Sequence, residues 1–200
     1  MANKQTYSIE RDLHEAEVMA AALVPYVYEN ELYGVLDAGS FVSSATMPSL
    51  TLGAFLMRLQ RLNALRMQLN GDQKIRFGQV LNRNQEVLKE WRVHYERKLA
   101  QEAESRLRQI MFYIEECSED PRTCANTYTP EAMRRTVIQA ILNAMHEYDM
   151  HSEKLAVSVA KTDSGLRHFV YDTGVFIWPE VLKAVYPAEE YWWLYHQPKG

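Results

Sequence analysis

Residues 72–117 read DQKIRFGQVLNRNQEVLKEWRVHYERKLAQEAESRLRQIMFYIEEC and contain no proline. Apolar residues recur through this stretch mostly at steps of three and four, which places them on one face of a helix. They are Phe77, Leu81, Leu88, Trp91, Tyr95, Leu99, Ala103, Leu107, Ile110 and Ile114. The polar residues between them are mainly Gln, Glu, Lys and Arg, which are good helix formers. The stretch therefore predicts one very long helix, from about residue 72 to residue 117.

An unbroken helix of this extent is ~70 Å long at 1.5 Å per residue. A compact domain of 200 residues has a diameter of only ~40–45 Å. Either the helix breaks, with Gly78 as its weakest point, or the molecule is elongated. The helix-forming composition favours an elongated molecule.

Turn signals divide the rest of the chain into shorter helices. Ser8 is a suitable N-cap for a first helix, which Pro25 should kink or split. Residues 34–50 are rich in Gly, Ser and Thr and are expected to form a connecting loop. A second helix follows over about residues 50–69.

The loop after the long helix is predicted to contain Asp120, Pro121 and Asn126. The sequence Thr129-Pro130-Glu131 then gives a strong helix start, with a capping hydroxyl followed by proline at the first helical position. This helix should continue to about residue 149.

Two interpretations compete for the next segment. A last helix over residues 152–171 fits the apolar spacing, whereas residues 168–171 and 175–178 could instead pair as a small β-hairpin. The fold class is all-α in either case: an elongated helical bundle built on the long helix. We expect residues 1–200 to form a single helical domain, with the C-terminal aromatic tail 186–200 packed on it.

Charge is distributed unevenly along the chain, although the net charge is only −4. Residues 1–50 carry seven acidic and two basic side chains, whereas residues 51–85 carry six basic side chains and one acidic one. The basic segment 58–83 could bind a polyanion through Arg58, Arg61, Arg66, Lys74 and Arg76. Alternatively, the acidic and basic helices are neighbours and neutralise each other. We prefer the second interpretation, because no aromatic residues are interleaved for base stacking.

Aromatic residues are dense near the C-terminus and also occur on the long helix. They could line a ligand pocket or an interface, or they could anchor the tail to the helices. The residues concerned are Trp91, Tyr95, Trp178, Tyr191, Trp192, Trp193 and Tyr195. We prefer the structural interpretation, since aromatic side chains contribute heavily to small cores.

The sequence gives no support for a metal or cofactor. His146 and His151 are five residues apart and so lie on different faces of a helix, which excludes the zinc-protease arrangement. No glutamate precedes a histidine by three, as a di-iron bundle requires. Phosphate-loop, dinucleotide and serine-hydrolase motifs are also lacking. We therefore expect no metal, no cofactor and no catalytic residues.

Two cysteines, Cys117 and Cys124, are separated by six residues. This spacing suits neither a zinc site nor a Cys-x-x-Cys redox pair. No apolar run approaches the ~20 residues of a membrane span, and the N-terminus lacks the apolar core of a signal peptide. We therefore expect a cytoplasmic protein without a membrane partner, in which the cysteines are free thiols. A disulfide that staples the turn after the long helix is the alternative.

The preferred function is a non-enzymatic helical scaffold or adaptor that assembles with itself as a homodimer, and with an unknown protein partner. The long apolar stripe must be covered along its whole length, and a second copy is the commonest cover. Two alternatives are a nucleic-acid-associated accessory protein that uses the basic segment, and a small-ligand binder with a pocket under the C-terminal aromatics. The net negative charge argues against the nucleic-acid alternative.

Overall fold

The computed structural model describes residues 6–36, 47–150 and 152–198, without the side chains of 121–123. Six helices dominate it and one small antiparallel sheet accompanies them, so the predicted all-α class is confirmed. The helices are α1 (Ile9–Tyr28), α2 (Leu52–Ala64), α3 (Gly71–Glu90), α4 (Arg92–Glu119), α5 (Pro121–Glu147) and α6 (Glu153–Phe169). The strands are β1 (Val170–Asp172) and β2 (His196–Pro198).

Contacts divide the chain into two compact units, with the division inside α4. The N-terminal unit comprises residues 8–102, and the C-terminal unit comprises residues 103–200 together with residues 1–7. The single-domain organisation stays a prediction.

In the N-terminal unit, α1 is the central helix and packs against both α2 and α3. The side chains of Ser8, Thr51 and Asn70 cap the N-termini of α1, α2 and α3. The expected split of the first helix does not occur, since α1 continues through Pro25 to Tyr28.

The two ends of the segment between α1 and α2 are hydrogen-bonded to each other. Gly34 and Leu50 exchange two backbone hydrogen bonds of 2.9 and 2.8 Å. A Cβ at Gly34 would lie 3.2 Å from the Tyr26 ring and 3.3 Å from the Leu50 Cβ, so a small residue suits this close approach. The predicted loop 34–50 thus has paired ends, and its residues 37–46 lie outside the described residues.

The segment 72–117 is helical as predicted, but it is not the single unbroken helix that was expected: it divides into α3 and α4 at Trp91, whereas Gly78, the expected weak point, stays helical. Trp91 leaves the helical conformation, with φ −119° and ψ 31°. The Tyr95 hydroxyl bonds to the Asn84 side chain at 2.8 Å, although eleven residues of straight helix would separate the two Cα atoms by ~16 Å. A bend is therefore required. Gly78 stays helical because its neighbours Phe77 and Val80 are buried.

In the C-terminal unit, α5 doubles back along α4 after the single residue Asp120. The predicted start of this helix at Pro130 is wrong, because α5 begins at Pro121 and contains Pro130 in its interior. The sequence holds two starts of the same kind, Asp120-Pro121 and Thr129-Pro130, and the structure uses the first.

The small sheet combines the two interpretations of the C-terminal region. Helix α6 ends at Phe169 and β1 follows directly. The expected antiparallel pair is present, but β1 pairs with β2 in the register Val170–Pro198 and Asp172–His196, not with residues 175–178. The tail residues 191–195 are buried within this unit, and residues 199–200 lie outside the described part.

Candidate interaction surfaces

Three of the five basic residues singled out as a polyanion site bind carboxylates of α1. Arg58 donates from Nε and Nη2 to the Glu15 Oε2 at 2.8 and 2.6 Å. Arg61 lies 3.6 Å from the Asp12 carboxylate, and Arg76 contacts both Glu10 and Glu17 at 2.7 Å. The acidic and basic helices are therefore neighbours, and their charges neutralise each other.

The Arg58–Glu15 pair is almost fully buried, with side chains 7% and 8% exposed. Burial alone would raise the pKa of Glu15, but the charge and hydrogen bonds of Arg58, helped by Arg11, outweigh it and lower the pKa. Arg66 and Lys74 are exposed on the surface. The five residues thus do not converge on one exposed basic face.

Two further charged residues, Lys98 and Glu102, are buried on the first part of α4. The Lys98 ammonium donates to the Glu31 carbonyl and lies 4.2 Å from the centroid of the Tyr26 ring. Desolvation lowers the pKa of Lys98. The Glu102 carboxylate accepts from the Gly53 N–H at 2.7 Å, in the first turn of α2, where the helix dipole favours a negative charge.

Sequence reasoning missed both groups. The available signal was their position beside Leu99 and Ala103 on the apolar stripe. Since charged side chains are rarely fully buried without a partner, charges at such positions indicate buried contacts.

Most of the aromatic residues that could have formed an interface or a pocket lie in the core. Tyr95, Tyr191 and Trp193 are almost completely buried, while Trp192 and Tyr195 are 9% and 7% exposed. Trp178 is half-buried, with its ring 5.2 Å from Tyr186.

Trp193 is held by specific polar contacts. Its indole N–H donates to the Thr136 hydroxyl at 2.9 Å, and its ring stacks under the Arg135 guanidinium at 4.0 Å. The Arg135 guanidinium also binds the Asp163 carboxylate with two hydrogen bonds of 2.7 and 2.9 Å. The aromatic tail is thus a structural anchor on α5.

Trp91 differs from the other aromatics because it lies at the bend of the long helical segment. Its ring packs 4.3 Å from Tyr28 and 6.0 Å from His94, with Tyr28 itself 49% exposed. The rings contact one another, so they leave no space between them for a ligand. They form a half-exposed aromatic cluster in the N-terminal unit.

The same part of the chain carries large exposed apolar side chains, which define the α3 outer face. Met67 and Ile75 are 90% and 66% exposed, and Leu81 and Leu88 are half-buried. Val93, beyond the bend, is 77% exposed. The opposite side of α3 is buried through Phe77, Val80, Asn84 and Val87.

Cys117 and Cys124 form a disulfide, so the expectation of free thiols is wrong. The turn at Asp120 brings their Cα atoms to 4.8 Å, a separation that suits a disulfide. The hydroxyl oxygen of Tyr113 lies 2.8 Å from the Cys124 carbonyl and 3.0 Å from the Cys124 Sγ. Burial raises the pKa of Tyr113, and the Glu131 charge raises it further.

No group of three or more His, Cys, Asp or Glu side chains in the described residues could hold a metal ion. Of the two histidines considered at the sequence level, His151 lies outside the described residues. Among those residues, no helix combines the length and apolar character that would let it cross a membrane. The chain matches no protein-family model, no curated protein and no solved structure.

Proposed function

We propose that the protein is a non-enzymatic assembly factor that forms a homodimer through the α3 outer face. The observation that carries the proposal is the exposure of Ile75 in the second turn of the regular helix α3. A helix normally turns such side chains toward a covering element. Met67 and Val93 extend the apolar surface beyond both ends of α3.

The shape of the α3 outer face suits a second helix. No atom lies within 4 Å of a Cβ built at Gly78, so the backbone there is open to close approach. Gly78 is three residues from both Ile75 and Leu81, and residues at this spacing are neighbours on a helix surface. A bulky apolar side chain from another helix can therefore pack into the gap over Gly78.

A second copy of the chain is the occupant that two-fold symmetry favours. Each copy supplies the same face, so each contact is made twice and the surface is self-complementary.

Sedimentation equilibrium of the full chain tests the proposal, since one chain has a mass of 23.3 kDa. The wild-type protein should approach twice that mass in the micromolar range. Ile75→Lys should weaken dimerisation roughly tenfold or more, because it places a charge in an apolar contact. Val157→Lys is the matched control, since Val157 is 64% exposed on α6 and should leave the dimer intact.

A wild-type protein that stays at 23.3 kDa, or equal effects of Ile75→Lys and Val157→Lys, would refute this function.

The proposal also includes a cytoplasmic location and a further protein partner whose identity is unknown. A cytoplasmic location is compatible with a dimer of this kind. Nucleic-acid binding is not favoured, since Arg58, Arg61 and Arg76 bind α1 carboxylates.

A further inference from the structure

The first turns of α5, residues 121–129, are joined to the rest of that helix by one backbone hydrogen bond fewer than in a regular helix. Pro130 lies in the helix interior, where it has no N–H to donate to the carbonyl of Asn126. Its ring also crowds that carbonyl. A nine-residue helix is marginal in water without tertiary contacts. The segment therefore depends on what holds it from outside.

Contacts of Cys124 and Tyr128 help to fix this segment in the C-terminal unit. Cys124 is bonded to Cys117 at the end of α4. The Tyr113 hydroxyl donates to the Cys124 carbonyl at 2.8 Å, and the Tyr128 hydroxyl donates to the Trp193 carbonyl at 2.7 Å. Of these contacts, the disulfide alone can be made and broken by chemistry.

The surroundings of Cys124 also suit its reduced form. The Tyr113 hydroxyl has one hydrogen, which it donates to the Cys124 carbonyl, while its oxygen lies 3.0 Å from Sγ. A disulfide sulfur has no hydrogen to give to that oxygen. A thiol at Cys124 can donate its S–H to the Tyr113 oxygen, so that both groups are satisfied at once.

The sequence also supplies a second start for the helix. Thr129 can cap a helix whose first residue is Pro130, and Glu131 in the first turn complements the helix dipole. If residues 121–129 unwind, α5 can begin at Pro130 with a favourable terminus.

We propose that Cys117 and Cys124 form a reversible redox site for low-molecular-weight thiols, and that their reduction moves the start of α5 from Pro121 to Pro130. A thiolate attacks one sulfur and forms a mixed disulfide, and the other sulfur leaves with the bonding electrons and takes a proton. A second thiol breaks the mixed disulfide. The products are two cysteine thiols and one disulfide of the small thiol, and the same small disulfide reverses the reaction.

Burial determines how the thiol reaches the site. Cys117 and Cys124 are 1% and 3% exposed, so the first turns of α5 must open before attack. Pro130 favours an opening that ends at residue 129, because one of the backbone hydrogen bonds that would couple residues 121–129 to the following turn is missing. Reduction should therefore proceed without unfolding of the rest of α5.

Hydrogen exchange with mass spectrometry tests the proposal on the full chain, oxidised and in dithiothreitol. We expect the amides of residues 122–129 to exchange roughly tenfold faster after reduction, while those of 131–147 keep their protection. The Cys117→Ser, Cys124→Ser double variant should behave like the reduced chain without any reductant. Oxidised glutathione should restore the slow exchange of the wild-type chain.

Pro130→Ala is the matched variant, because it returns the missing backbone N–H. In this variant the reduced chain should keep most of the protection of residues 122–129. Three results would overturn the proposal: equal exchange in the oxidised and reduced chains, loss of protection along the whole of α5, or a disulfide that dithiothreitol reduces only in denaturant. Failure of Pro130→Ala to preserve the segment would likewise refute the role given to Pro130.

Discussion

Glu15 in the N-terminal unit and Glu131 in the C-terminal unit are both 6% exposed, yet their pKa values move in opposite directions. Burial raises the pKa of each carboxyl group. At Glu15 the charge and hydrogen bonds of Arg58 reverse that effect, and the pKa falls below its ordinary value of 4.5. At Glu131 the nearby Arg134 only partly offsets burial, and the pKa stays raised.

The difference reflects two ways of building a small core. The N-terminal unit buries Asp12, Glu15, Arg58 and Arg61 between its first two helices, so α1 and α2 are joined by charge. In the described residues of the C-terminal unit, Arg135 and Asp163 form a comparable pair, and the core also contains buried tyrosine and tryptophan side chains and a disulfide. The first core should respond most to loss of a charge, and the second to loss of an aromatic side chain.

Arg58→Ala should produce the largest loss of stability. It leaves Glu15 buried without its main partner, and breaking a buried pair in this way costs about 3–5 kcal/mol. Chemical denaturation at neutral pH measures the free energy of unfolding.

Arg76→Ala is the matched control for Arg58→Ala. Its side chain is 26% exposed and its pairs with Glu10 and Glu17 are in contact with solvent. Exposed pairs contribute about 1 kcal/mol or less. Equal losses in the two variants would mean that burial does not distinguish these pairs.

The pairing of α1 with the basic helices shows how far the sequence could predict the fold. Apolar periodicity and the capping residue Ser8 predicted helices, because those signals are local. The uneven charge of residues 1–50 and 51–85 also indicated that acidic and basic helices are neighbours. Which carboxylate meets which arginine depends on helix packing, which the sequence pattern does not encode.

The features that were predicted wrongly depend on side-chain and strand contacts that helix periodicity does not describe. The bend at Trp91 is accompanied by the Tyr95–Asn84 hydrogen bond and packing of the Tyr28 ring. The early start of α5 is accompanied by the Cys117–Cys124 bond, and β1 pairs with a strand that begins 26 residues after Val170. Local propensity gives no information on such partners.

Tyr128→Phe should have a smaller effect that tests the second core. It removes only the hydroxyl hydrogen bond of 2.7 Å to the Trp193 carbonyl. Losing such a bond inside a core costs about 1–2 kcal/mol. The free energy of unfolding should fall by this amount, with the helix content unchanged by circular dichroism. An unchanged stability would show that the tail is anchored by apolar contacts alone.

The pH dependence of the two cores follows from the sign of each pKa shift. Because the pKa of Glu15 is lowered by folding, its contribution to stability is complete above pH 4.5 and is lost as the pH falls through the lowered value. Because the pKa of Glu131 is raised, its contribution is greatest below pH 4.5 and is lost as the pH rises through the raised value. Acid should therefore weaken the N-terminal core, whereas in the C-terminal core it neutralises the buried Glu131 carboxylate by protonating it.

Hydrogen exchange of the full chain at neutral pH and below pH 4.5, corrected for intrinsic rates, tests this contrast most directly. We expect α1 and α2 to lose protection in acid before α5 and α6 do. In the Glu131→Gln variant at neutral pH, the amides of α5 should be protected to the same degree as they are in the wild-type chain in acid. Loss of protection in α5 and α6 first, or at the same pH as in α1 and α2, would contradict the account of one core held by buried charge and the other by aromatic side chains.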